Sequence, residues 1–379
     1  MFGLCMLLPI FSIEALKYAH ASAPLIGWAI GIYGLAQAVL QIPFGILSDK
    51  YGRKLLILVG LIFIALGSLI AAASTSIYGL ILGRILQGCG AMGSVVIALL
   101  ADQVREQRRT SAMAILGASI GLSFALAFIL GPLLNQLLGL SGIFIVIFVM
   151  AIVASLLLIA IPSNKTNHNL LPKSNLKLIT VLYDFMRIFN NIHLVNLNFG
   201  VFVLHSILAS IFLILPNMLL LSGINAASVW RLYCVALVVA MLVAWRLIGG
   251  GARGQHNTDN LHVIAILGLL VAEGLLYTVS NWLGITMILV IFFTAFCILE
   301  ASLPMLVSKY APVENRGAAL GMYSCLQFLG MFVGGVIGGW LHGNIGVFAV
   351  LSLCVALSTC WLLLSIQIKK KGVQLWQEV

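Results

Sequence analysis

The chain has 379 residues, of which 62% are hydrophobic and only 8% charged, with a formal net charge of +10 at pH 7. Ordinary soluble domains carry about 25% charged residues, so no soluble surface can be built from this composition. A mean hydropathy of +1.15 and repeated apolar runs of about 20 residues describe an integral membrane protein made of helices, and a transmembrane barrel is excluded because its strands would alternate polar and apolar residues.

Hydrophobicity and chain-breaking residues predict twelve spans. The first, over 1–18, reaches Glu14 within 13 residues, too short to cross a hydrocarbon core about 30 Å thick. It reads as a leading helix clipped at its start rather than a cleaved signal peptide, since it has no basic n-region and no small-residue cleavage pattern. The next spans are predicted over 24–47, 55–73, 77–100, 112–138 and 142–161, and after a long connection over 195–221, 229–248, 261–280, 283–307, 317–340 and 346–368.

That connection, 162–194, carries Pro162, Asn164, Asn167, Asn169 and Pro172, all loop-formers. Its second part sets Leu178, Leu182, Phe185 and Phe189 against Thr180, Asp184, Arg187 and Asn191 at helical spacing, which predicts a helix lying in the membrane interface. The chain thus divides into an N-terminal six-helix bundle (1–161), a linker (162–194) and a C-terminal six-helix bundle (195–379). Glu106, Arg108 and Gly131 recur as Glu314, Arg316 and Gly339, each 208 residues later, in keeping with a repeated half.

With twelve spans both termini share one side. Seventeen of the twenty Lys and Arg fall on that side, while Lys17 and Arg231 lie opposite and Arg84 lies within a span. The positive-inside rule makes the crowded face cytoplasmic, so the basic excess orients the chain in a bilayer and does not point to nucleic acid. Seven scattered cysteines without ligand-like spacing read as small hydrophobes, and no metal or cofactor is implied.

Between the second and third spans stands Gly45-Ile46-Leu47-Ser48-Asp49-Lys50-Tyr51-Gly52-Arg53-Lys54, and the fourth span carries Leu80-Ile81-Leu82-Gly83-Arg84-Ile85-Leu86-Gln87-Gly88-Cys89-Gly90-Ala91. In this order the two segments resemble the paired signatures of the major facilitator superfamily. Together with "GMYSCLQFLGMFVGGVIGGWL" they are similar to the YajR-type branch of its drug/proton antiporter group. The Gly-Pro of that group's fifth span is present as Gly131-Pro132, but Asn135 and Gln136 stand where glycines follow in the group.

The resemblance implies an all-α membrane protein with twelve transmembrane helices in two pseudo-symmetric six-helix bundles. It implies a conformational latch of Gly45, Asp49, Gly52, Arg53, Lys54 and Asp102. Asp49 would sit at the positive N-terminal end of the helix beginning near Gly317, and Arg53 would pair with Asp102. It also implies that Arg84 takes part in proton transfer or contacts substrate.

Ionisable groups inside spans are costly, at about 2.5 to 3.5 kcal/mol each at a helix centre, and therefore mark candidate sites. Glu300 in "FFTAFCILEASLP", Glu273 in the ninth span and His205 in the seventh are candidates for carrying a coupling proton, and each has a structural alternative as a packed or interfacial group. Glu14 at the end of the first span reads as an entrance residue or a headgroup-level charge. Tyr33, Gln37, Gln41 and Asn217 are neutral hydrogen-bonding groups that would line a cavity suited to amphipathic or aromatic solutes, with Trp28 and Phe44 adding aromatic surface. The glycines of "GMFVGGVIGGW" supply notches for close helix packing.

The sequence therefore predicts a proton-coupled secondary transporter that exports small amphipathic or drug-like solutes by alternating access. Its partners would be that small-molecule substrate, protons and the lipid bilayer, and nothing calls for a second copy of the chain. A bacterial inner membrane with both termini cytoplasmic is the expected location. An uncoupled facilitator or solute importer of the same fold, or a non-transporting membrane receptor, remain alternatives. An enzyme is disfavoured, because HExxH, GxSxG, P-loop and metal-spaced Cys/His patterns are missing.

Overall fold

A computed structural model of the chain describes residues 2–160, 191–225, 228–250, 255–312 and 316–377. Among them the regular structure is all helical: α1 (Phe2–Glu14), α2 (Ala23–Tyr51), α3 (Arg53–Ala73), α4 (Ile77–Cys89), α5 (Gly93–Gln103), α6 (Glu106–Ala160), α7 (Ile192–Leu221), α8 (Val229–Gly250), α9 (Gln255–Leu275), α10 (Trp282–Tyr310), α11 (Arg316–Asn344) and α12 (Val347–Gln377). The interfacial helix expected around Leu178 to Phe189 lies outside the described residues.

Helix starts follow local chemistry. Ser22 caps α2 by accepting from the Leu25 amide at 3.5 Å, with Pro24 in the first turn. Asn281 caps α10 by accepting from the Gly284 amide at 2.7 Å, and Asn191 caps α7 by accepting from the His193 and Leu194 amides. These contacts satisfy donors that a helix leaves open at its N-terminus.

Four of the predicted spans differ from their expected form. The first is helical only to Glu14 and ends in a 3-10 turn over Ala15–Lys17. The span predicted over 77–100 is broken into α4 and α5, because Gly88, Gly90 and Gly93 are poor helix formers. The break lets Gly90 approach the Gly60 carbonyl so closely that a Cβ at Gly90 would lie 2.6 Å from that oxygen. The spans predicted over 112–138 and 142–161 form one element, α6, which turns at Gly139 (φ 66°). Its apolar run over Ser111–Ala160 is 50 residues. At 1.5 Å per residue it would stretch about 75 Å if straight, more than twice a bilayer core, so it must fold back at the one residue whose left-handed φ glycine alone tolerates freely.

The innermost helices are α1 and α7. Every residue from Leu4 to Ser12 is buried, and 89% of the apolar window of α7 is enclosed by protein. A helix that is apolar all round suits such a position. The peripheral helices α8 and α12 leave apolar side chains such as Trp245 and Leu363 exposed, as lipid contact requires.

Contacts fix how the helices run. The connection after α1 meets the α3–α4 connection through Ala19 and Thr75 (3.0 Å), and Ile77 donates back to Ala19 at 3.1 Å. These turns define one end of the bundle, and the α2–α3 turn with Lys50, Arg53 and Lys54 defines the other, here called the basic end.

Candidate functional site

Gly52 alone joins α2 to α3. Its φ of 98° is disfavoured for a side-chain-bearing residue, which is the local reason for a glycine there. Around that pivot Arg53 meets three oxygens: Asp49 at 2.5 Å, Asp102 at 3.3 Å and the Ser48 hydroxyl at 2.6 Å. Asp49 and Asp102 remain 41% and 52% exposed, so these pairs are screened and individually weak. Their effect is geometric: they tie the end of α5 to the α2–α3 turn. Lys54 follows in the first turn of α3.

Near the opposite end α2 and α11 are packed backbone to backbone. A Cβ on Gly27 would strike the Gly335 carbonyl and lie 2.8 Å from the Gly339 Cα; one on Gly31 would lie 2.7 Å from the Phe332 carbonyl; one on Gly34 would strike the Phe328 carbonyl. The two helices are antiparallel in one continuous register, sealed by Trp28 edge-on to Phe332 and Tyr33 edge-on to Phe328, with centroids 5.7 and 6.3 Å apart.

Carried on toward the basic end, that register sets Gly45 opposite Gly321 and Asp49 opposite Gly317. There the helices have parted. A Cβ at Gly317 or Gly321 would meet nothing within 4 Å, and one at Gly45 only the Ser94 hydroxyl at 3.8 Å. On α6, Gly117 and Gly121 likewise face open space, and Ile115, Ile120 and Leu122 are exposed. The helix pair is closed at one end and open at the other.

Just inside the seal, α4 carries Arg84, 3% exposed. Its Nε donates to the Ala29 carbonyl of α2 at 3.2 Å and one Nη to Gln87 at 2.9 Å, while the guanidinium lies 4.6 Å from the centre of the Tyr33 ring. Gln87 passes the connection to Ser68 of α3 at 2.7 Å. Gln37 donates to the Tyr33 hydroxyl at 3.1 Å and to the Gly90 carbonyl at 3.4 Å, an oxygen at the α4–α5 break that also accepts from the Met92 amide at 2.8 Å. Gln41, also buried, has an unpartnered side-chain oxygen. Arg84 is thus held by neutral oxygens and an aromatic face, and among the described residues no carboxylate pairs with it.

Across the bundle, α7, α10 and α11 bring His205, Glu300 and Gln327 together. The Gln327 amide nitrogen is 2.8 Å from His205 Nε2 and 3.3 Å from Glu300 Oε1, and His205 Nε2 is 3.7 Å from Glu300 Oε2. His205 Nδ1 lies 3.1 Å from the Val201 carbonyl. A carbonyl can only accept, so Nδ1 carries a proton, and in the neutral ring Nε2 accepts from Gln327. With Nε2 engaged by Gln327, Glu300 Oε2 lies 3.7 Å away and is itself buried without a hydrogen-bond partner.

An aromatic wall covers this group. Phe124 of α6 stacks on Phe296 of α10 at 5.2 Å, His205 is 6.0 Å from Phe296, and Phe128 meets Phe212, Phe293 and Tyr233 edge-on.

Other candidates lie elsewhere. Glu14 accepts from Lys17 at 2.8 Å and from Asn135 at 3.1 Å, joining α1 to α6 away from the basic end. Glu273 is fully buried between α9 and α12, where it accepts from Ser358 at 2.9 Å, and no bond links it to His205, Glu300 or Gln327. Asn217 is exposed, and Phe44 packs inside the α2–α3–α5 core. Sequence reasoning missed Gln327 and the Phe124–Phe296 wall. An amide inside an apolar run and phenylalanines at four-residue spacing were the available signals.

The family model described as Major Facilitator Superfamily matches residues 1–255 and 258–374. The chain is 40% identical over 373 residues to the inner membrane transport protein YajR of Escherichia coli K12, covering 98% of this chain and 81% of that protein. A shorter likeness, 35% identity over 94 residues or 24% of this chain and 23% of the other, links it to the class B tetracycline resistance protein of Escherichia coli. Among solved structures, a point mutant of the nucleoside transporter NupG aligns over 97% of this chain and 96% of its own with a TM-score of 0.68 at 15% identity. The human organic anion transporter MFSD10 aligns over 96% and 95% with a TM-score of 0.65 at 17% identity.

Proposed function

The chain belongs to the major facilitator superfamily and is a multi-pass membrane transporter rather than an enzyme, and from that premise we propose that it exports small amphipathic or drug-like solutes by alternating access driven by inward proton flow. One observation carries the reading: a single α2–α11 register that is closed from Gly27 to Phe328 and open at Gly317 and Gly321. Two helices sharing a register over their full length but meeting over half of it are suited to rocking about the Tyr33–Phe328 contact.

In this reading residues 1–161 and 195–379 are the two moving bundles, joined by the linker 162–194. The basic end is cytoplasmic by the positive-inside rule, both termini lie there, and the membrane is the bacterial inner membrane, as for the YajR relative. The structure is then inward-open, and the chain works as a monomer. Rocking toward the outward-open form closes the register at the basic end, bringing Asp49 to the N-terminus of α11 near Gly317. The helix dipole favours an anion there, while Arg53 keeps the turn braced on Asp102. Those contacts form the latch.

The His205–Glu300–Gln327 group is the proton-carrying site. One proton moving inward across the membrane releases about 2.3 kcal/mol per 100 mV. Arg84, Tyr33, Gln37 and Gln41 form the opposite wall and the Phe124–Phe296 face the apolar one, which suits an aromatic or amphipathic solute; the partial likeness to a tetracycline resistance protein supports drug-type solutes. The test is proton release or uptake by the purified protein in proteoliposomes on titration with a panel of amphipathic compounds. A response in wild type that is lost in Glu300→Gln is expected, and transport that persists with a collapsed proton gradient and ignores Glu300→Gln contradicts coupling.

An uncoupled facilitator or importer is the second reading. It is favoured by Asn135, which bonds Glu14 at a position where the antiporter group carries glycine.

A further inference from the structure

On the basic-end side of the His205–Glu300–Gln327 group, two more polar side chains are buried without a partner. Asn198 is 2% exposed and neither of its amide atoms is hydrogen-bonded; Tyr323 is 5% exposed and its hydroxyl is unbonded. Asn198 precedes His205 by seven residues on α7 and so lies on the same face, two turns nearer the basic end. Tyr323 precedes Gln327 by four residues on α11, on the same face and one turn nearer that end.

The helices carrying them run parallel and in contact. A Cβ at Gly330 would strike the Phe202 carbonyl and one at Gly334 the Ser206 carbonyl. One turn further toward the basic end this register sets Asn198 opposite Leu326, between Tyr323 and Gln327. Both orphaned groups therefore sit in the α7–α11 seam, and the seam leads from the proton-carrying group toward the end where α2 and α11 have parted.

An amide and a hydroxyl buried with no partner are costly, whereas leucine and phenylalanine would fill the same space without that cost. Buried polar groups left without a protein partner are commonly satisfied by ordered water, each water bonding two to four groups. Among the described residues, the titratable groups that interact with Glu300 include His205 on α7, Cys297 on α10, Tyr323 on α11 and Cys5 on α1. Of these, His205 and Tyr323 lie on the seam, and Tyr323 is the one nearer the basic end.

We propose that Asn198 and Tyr323 hold a short water chain that exchanges the proton of the His205–Glu300 pair with the aqueous space at the basic end. The proposal rests on the reading of that pair as the coupling site. In the step, the proton leaves Glu300 or His205 for the adjacent water, and the last water of the chain gives one proton to bulk solvent. Only O–H and N–H bonds break and form, and no electron transfer is involved. Asn198 and Tyr323 are positioning residues, neither gaining nor losing a net proton.

The test is infrared spectroscopy on the full-length protein in proteoliposomes. The carboxyl C=O band of Glu300, identified by its disappearance in Glu300→Gln, is followed on transfer to D2O. In wild type the band shifts rapidly. In Asn198→Leu with Tyr323→Phe the band is still present, but its shift slows by about tenfold or more, a modest share of what positioned proton relays contribute. Tyr323→Phe alone gives a smaller slowing in a nearly isosteric variant, and Asn198→Ser, which keeps a polar group and room for water, restores rapid exchange. An unchanged exchange rate in the double variant, with the Glu300 band intact, overturns the water chain alone. If Glu300→Gln removes no band and His205 does not titrate, the coupling reading falls and the chain falls with it.

Discussion

Gly27 and Gly339 pack backbone against backbone: a Cβ on Gly27 would come within 2.8 Å of the Gly339 Cα, and one on Gly339 within 2.7 Å of the Gly27 Cα. This contact exists only while α2 and α11 are closed at the end away from Arg53. It therefore gives a handle on one conformation without touching the polar groups.

Gly27→Ala or Gly339→Ala is expected to destabilise the closed seal by about 1–3 kcal/mol, the usual cost of overpacking. That shifts the balance between the two forms by about 5- to 150-fold. Labelling of a cysteine at Gly321 by a thiol reagent added at the basic end should fall accordingly, while protein yield is retained. The same labelling in wild type and variants would place the seal elsewhere.

Asp49→Asn tests the other end. Asp49 is 41% exposed and its pair with Arg53 is solvent-screened, so folding stability should change by less than about 1 kcal/mol. Transport should nonetheless fall several-fold, because the charge that would meet the α11 N-terminus is gone, and added salt should mimic part of the loss in wild type. Unchanged flux at equal protein level removes Asp49 from the latch.

Arg84→Lys keeps the charge but loses the planar fork that reaches Ala29 and Gln87 together and lies near the Tyr33 ring. Transport should drop while the fold survives. Restoration of full activity by lysine would mean that only charge matters at this position.

Trp361→Ala probes packing remote from the gate. Trp361 is fully buried, with its ring pressed on Gly200 of α7, so its truncation should cost about 3–5 kcal/mol. A lower thermal midpoint in detergent, with no change in the ratio of the two conformations, is the expected result.

Much of this was legible in the residues alone. Composition and run length predicted spans because each helix must satisfy its own backbone in lipid, and the Arg53–Asp102 pairing was implied by the family resemblance. The break between α4 and α5 was hidden because hydropathy ignores where glycine lets backbones meet, here at Gly60 and Gly90. Glu300 and His205 stood out as ionisable groups in apolar runs. Their convergence did not, since it depends on three helices far apart in sequence. Gln327, the group that joins them, is neutral and gave no charge signal.

The central claim is that one α2–α11 register closes alternately at its two ends. It is tested most directly by electron–electron distance measurement between spin labels at Lys50 and Ala318, near the basic end, and at Leu25 and Asn344, near the other, in a background with the seven native cysteines replaced. The account predicts two populations in which one distance lengthens as the other shortens, with substrate or pH moving weight between them. Distances at both ends that stay fixed, or that lengthen together, would contradict it.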